Sequence, residues 1–66
     1  MEIVSKLKKL RKLNKVSQVK LARRIGVHSS YVSKVERGLY NPSLGVISAW
    51  CQALGCELNI ILKELK

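Results

Sequence analysis

A chain of 66 residues, 47% hydrophobic and 26% charged, has globular composition, which excludes a disordered tail; it is short enough for one domain, whose core buries only about 60% of the surface exposed on unfolding. The formal net charge of +9 falls wholly on residues 1–40, where eleven Lys or Arg stand against Glu2 and Glu36, while residues 41–66 sum to zero. A basic half joined to a neutral, apolar half reads as a polyanion-facing surface backed by a packing or association surface, and no apolar run reaches the roughly 18 residues of a membrane span, so a soluble, cytoplasmic chain is expected.

Residues 3–14 carry Ile3, Leu7, Leu10 and Leu13 at helical spacing, with Lys6, Lys8, Lys9 and Lys12 between them. This predicts a first amphipathic helix with a basic outer side, ended by Asn14 and Lys15. Ser17 is a candidate N-cap for a second helix over Gln18 to Ile25, burying Leu21, Ala22 and Ile25 and stopped by Gly26. A third helix is expected from His28 or Ser29, either of which can cap it. Its core-facing line is Val32, Val35 and Leu39, with Gly38 at the left-handed position that closes it. Asn41 to Ser43, "NPS", is a turn and cap cluster leading into a fourth helix, "LGVISAWCQAL", closed by Gly55.

The last segment, "CELNIILKELK", fits two templates. Leu58, Ile61, Leu62 and Leu65 have helical spacing, whereas Leu58, Ile60 and Leu62 alternate as in a strand. The paired β-branched Ile60 and Ile61 favour a strand, and an isolated strand needs a partner edge. The same segment of a second copy, antiparallel, supplies one economically. Residues 56–64, with Leu58, Ile60, Ile61 and Leu62, are therefore the expected dimerisation segment. Cys51 and Cys56, with one histidine 23 residues upstream of Cys51, lack zinc spacing and are expected as buried thiols, so no metal or cofactor is implied.

The stretch from Gln18 to Gly38, "QVKLARRIGVHSSYVSKVERG", places two short helical patterns on either side of one glycine. Counted from Gln18 as position one, apolar or small residues fall at 4 (Leu21), 5 (Ala22), 8 (Ile25), 10 (Val27), 15 (Val32) and 18 (Val35), with Gly26 at 9. Ala22 is small enough for a close helix crossing, Gly26 permits the positive φ of a tight turn, and Val27 fills the corner. Two ordinary core helices could produce the same apolar positions. The outer face of the third helix weighs against that: Ser29, Ser30, Ser33, Lys34 and Arg37 form one continuous polar face without an acid.

"QVKLARRIGVHSSYVSKVERGLYNPSL" resembles the helix-turn-helix of the lambdoid phage repressor and Cro family, also called the xenobiotic-response-element family, over about residues 4–56. The resemblance implies an all-α bundle of four or five helices, with the helix-turn-helix at 18–37, the third helix in the major groove of DNA and the second across the backbone. By that resemblance His28, Ser29, Ser30 and Lys34 match base-reading positions, with Ser33 on the same face. Ser17, Gln18, Arg37, Tyr40 and Asn41 match phosphate-holding positions. Lys34 can bond guanine O6 and N7, while serines specify weakly. The first turn of the second helix also offers N–H donors to a phosphate.

Arg11 continues the line of Val4 and Leu7, and Glu36 follows Val32, so each charge falls on the margin of an apolar stripe. Unpaired, each is costly to bury; the repressor-like family pairs an Arg and a Glu at these positions, and one shared ion pair is expected here. Trp50, Cys51 and Cys56 are expected in the core, with Ser48, Ala49 and Gln52 on the opposite, exposed face; Tyr31 flanks the core stripe of the third helix.

The function expected is a non-enzymatic, sequence-specific regulator of double-stranded DNA, a repressor acting as a homodimer on a palindromic operator. The alternative is an antitoxin that binds a toxin partner and represses its own operon. Membrane binding through the first helix would need an aromatic apolar face, which that helix lacks. Catalysis would need a nucleophile and base set or a phosphate-cradling glycine loop, and neither is present.

Overall fold

The computed structural model describes residues 2–55. Their regular elements are four α-helices: α1 (Glu2–Leu13), α2 (Gln18–Ile25), α3 (Ser29–Glu36) and α4 (Leu44–Ala53). The expected dimerisation segment, with Leu58, Ile60, Ile61 and Leu62, and the core placement of Cys56 lie outside the described residues.

Cap chemistry sets the boundaries. The Ser17 hydroxyl accepts the Lys20 N–H at 3.0 Å and opens α2; the Ser43 hydroxyl accepts the Val46 N–H at 3.2 Å and opens α4. At α3 the cap is His28, whose Nδ1 accepts the Ser30 N–H at 3.1 Å. Each bond satisfies a first-turn donor that the helix itself leaves without a partner. α1 ends without glycine: Lys15 takes φ +56°, and the Lys15 and Val16 N–H groups donate to the carbonyls of Lys12 at 3.0 Å and Arg11 at 3.2 Å. This doubly bonded ending turns Val16 into the core.

Helices α2 and α3 pack on each other, α4 packs on α2, and α1 closes the bundle against α3 and α4. Leu7, Leu21, Val32, Val35, Trp50 and Cys51 are the fully buried side chains at the centre. Removing side chains of this size from water stabilises the fold by roughly 1.5–3 kcal/mol each. Trp50 also ties α4 to α1, its indole N–H donating to the Leu7 carbonyl at 3.2 Å.

Four sequence expectations shift. Leu13 is 71% exposed, because six residues of α-helical rotation carry it about 120° away from Leu7; the buried stripe of α1 runs instead through Ile3, Val4, Leu7 and Arg11. Leu39 is 62% exposed, since α3 stops at Glu36 and helical spacing no longer governs the chain beyond it. Ile25 is only partly buried against the core. On α4, Gln52 is exposed as expected while Ser48 and Ala49 are half-buried.

Candidate nucleic-acid interface

The turn between α2 and α3 fixes the angle at which α3 is presented. Gly26 has φ +77°, and a side chain built on it would meet nothing within 4 Å. The requirement is therefore for the left-handed backbone rather than for space. The Val27 N–H reaches back to the Ala22 carbonyl at 3.0 Å, Ala22 is buried between the helices, and Val27 packs against the core.

Held this way, α3 buries Val32, Val35 and Glu36. Around the rest of its surface Ser30 and Arg37 are exposed, and Ser29, Ser33 and Lys34 are half-buried. His28 is exposed at the tip, but its Nδ1 is committed to the Ser30 N–H and lies 2.9 Å from the Ser30 hydroxyl. Accepting a backbone N–H at Nδ1 puts the proton of the neutral ring on Nε2, which is then a donor to a ligand. The ammonium of Lys34 sits 5.6 Å from the centroid of the Tyr40 ring, and the rings of Tyr40 and Tyr31 lie 5.8 Å apart, tilted by 33°.

The expected ion pair is present. Arg11 Nε donates to Glu36 Oε2 at 2.6 Å and Nη2 donates to Oε1 at 3.0 Å, a two-pronged contact between buried side chains. Arg11 Nη1 donates to the Val16 carbonyl at 2.7 Å, and Gln18 Nε2 donates to Glu36 Oε1 at 3.0 Å. Burial alone raises the Glu36 carboxyl; the hydrogen bonds from Arg11 and Gln18, with the charges of Arg11 and Lys8, outweigh it and hold the group below its ordinary value of 4.5. Among the described residues no buried side-chain polar atom lacks a hydrogen-bond partner.

The Gln18–Glu36 bond sets the N-terminus of α2 beside the last turn of α3, which brings Ser17 and Gln18 to the Arg37 end of that helix. One Gln18 amide hydrogen is therefore engaged within the protein. Arg37, Tyr40 and Asn41 are all exposed. Lys9, Lys12, Lys15, Lys20 and Arg23 are exposed cations, whereas Arg24 Nη1 donates to the Ala53 carbonyl at 3.2 Å and closes the end of α4. The only acids among the described residues are Glu2 and Glu36, and Glu36 is neutralised by Arg11, so the α2–α3 surface carries positive charge alone. Sequence spacing missed the Gln18–Glu36 bond and the Tyr31–Tyr40–Lys34 cluster, because each joins residues across a turn that no periodicity spans.

Residues 7–61 match the family model described as helix-turn-helix. The immunity repressor protein of Bacillus phage phi105 is 38% identical over 64 residues, which is 97% of this chain and 44% of that repressor. An HTH-type transcriptional regulator of Mycobacterium tuberculosis, itself uncharacterized, is 44% identical over 46 residues, 70% of this chain and 33% of that protein. The crystal structure of the clp gene regulator ClgR from Corynebacterium glutamicum superposes with a TM-score of 0.88 at 28% identity, over 96% of this chain and 67% of that one. The chain thus spans less than half the length of the curated relatives it matches.

Proposed function

Because this chain belongs to the repressor-like helix-turn-helix family of DNA-binding transcription regulators, we propose that it is a sequence-specific repressor that binds a palindromic operator as a homodimer. The observation that carries the reading is the acid-free outer face of α3, braced from behind by the Arg11–Glu36 pair. In this reading His28, Ser29, Ser30, Ser33 and Lys34 face base edges in the major groove. Lys34 supplies the strongest discrimination by donating to guanine O6 and N7, and the serines add weaker contacts that accept either kind of base pair.

The phosphate contacts come from Ser17, Gln18, Arg37, Tyr40 and Asn41. Ser17 still has its hydroxyl proton to donate while its oxygen caps α2, and Gln18 retains a second amide hydrogen beside the free N–H groups of the first turn. Fixed donors at a helix N-terminus lose little side-chain entropy on binding, so they set register on the duplex while carrying no sequence information. On a palindromic operator the half-sites lie about 34 Å apart, one helical turn of DNA, so a homodimer associated through residues 56–64 would have to present both α3 helices at that spacing on one face of the duplex.

Selection from random duplex DNA, followed by footprinting at two salt concentrations, tests the proposal. The expected result is a two-fold symmetric site protected over about two helical turns, with affinity falling about 10³ to 10⁵ between 50 and 200 mM salt if roughly 6 to 10 phosphates are neutralised. Recovery of no preferred sequence would overturn specific readout, and an asymmetric site protected over one turn would overturn the dimer.

A further inference from the structure

We propose that Tyr40 is a positioning residue for base readout: its ring, backed by Tyr31, holds the ammonium of Lys34 in place before DNA arrives. The inference rests on the reading of Lys34 as a base contact and adds a residue that sets how sharply that contact discriminates.

The Gly38 N–H donates to the Val35 carbonyl at 3.0 Å and the Leu39 N–H to the Lys34 carbonyl at 2.9 Å, with Gly38 at φ +79°. This paired closure reverses the chain, and the reversal returns Tyr40 over the helix it has just left. Its ring then lies 5.8 Å from the ring of Tyr31 and 5.6 Å from the Lys34 ammonium, within the roughly 6 Å over which a cation is attracted to an aromatic face. Tyr31 is half-buried and backs the exposed Tyr40 ring. A lysine side chain has four rotatable bonds and a strongly hydrated head, so its usual weakness as a base-reading group is the freedom it must give up. An aromatic wall removes part of that freedom in the unbound protein, and a contact already ordered costs less entropy on binding.

The two ends of Tyr40 separate by substitution. Tyr40→Phe keeps the ring and removes the hydroxyl, the part suited to a phosphate; Tyr40→Leu removes both. Two measurements decide the matter. In the DNA-free protein, NMR should show the Lys34 ε-methylene protons displaced by the ring current, unchanged in Tyr40→Phe and returned to ordinary lysine values in Tyr40→Leu. With operator variants differing at one base pair each, Lys34→Ala should flatten the preference at a single position about 10-fold or more. Tyr40→Leu should flatten the same position about 3-fold, and Tyr40→Phe should leave that preference intact while weakening all duplexes alike.

Ordinary Lys34 shifts in the wild-type protein overturn the inference without touching the operator reading. So does a Tyr40→Leu variant that keeps the full preference while Lys34→Ala loses it. If Lys34→Ala alters no position at all, the reading of Lys34 as a base contact is wrong, and the role of Tyr40 falls with it.

Discussion

The side chain on which most of the arrangement depends is Glu36. Its carboxylate accepts from Arg11 at 2.6 and 3.0 Å and from Gln18 at 3.0 Å, so one residue joins α1, α2 and α3. Burying two charges costs several kcal/mol per ion, and only complete hydrogen bonding offsets it. Glu36→Ala strands the Arg11 guanidinium and should cost about 3–5 kcal/mol, lowering the melting temperature by more than about 10 °C in a domain of this size. Replacing both residues by leucine should cost less than either single change, since no charge is then left behind; a double variant as unstable as the sum of the singles would show that the two do not act as a pair. The pH dependence has a definite sign. Glu36 titrates below 4.5 in the folded chain, so its contribution is fully present above that value and is lost as the pH falls through the lower folded-state value. A melting series from pH 7 to pH 3 should stay level for this group until about pH 4.5 and then decline, and Glu36→Gln should remove that part of the decline.

At the scale of elements, the helix endings govern what α2 and α3 can present. Lys15 holds φ +56°, a conformation that costs a side-chain-bearing residue about 1 kcal/mol. Lys15→Gly should therefore stabilise the fold by up to about 1 kcal/mol, read as a melting temperature raised by about 4 °C; a lowered one would mean that the lysine side chain contributes more than the strain costs. Gly38→Ala should destabilise by a similar amount, because φ +79° is forced on it by the closure of α3. Which endings were legible in the sequence follows from their chemistry. Ser17, Gly26 and Ser43 announce themselves because capping needs only a hydroxyl or a missing side chain at one position, whereas nothing in Lys15 marks a left-handed residue. Arg11 and Glu36 are legible as charges on apolar lines, whereas the Gln18–Glu36 bond exists only because the fold sets α2 beside α3. Leu13 and Leu39 are exposed for a related reason: an apolar spacing pattern can run on in the sequence past the point where the helix has rotated away or stopped.

For the molecule as a whole, the formal charge of +9 sits on residues 1–40 while the carboxylate nearest the outer face of α3 is neutralised internally, so long-range attraction and short-range readout use the same surface. Attraction of this kind brings any duplex to the protein and is screened by salt; discrimination comes only from the groups that α3 holds against base edges. The central claim is that α3 reads sequence with Lys34 as its main reader, and the most direct test is a titration of the full chain and its Lys34→Ala variant, at about 150 mM salt, against the selected operator and a scrambled duplex. The account predicts that the wild-type chain prefers the operator by at least about 10³-fold and that Lys34→Ala loses about 10-fold or more of that preference, its affinity for the operator falling by more than its affinity for the scrambled duplex, which loses only the general attraction of one charge. Equal affinities of the wild-type chain for both duplexes, or a variant that keeps the whole preference, would contradict it.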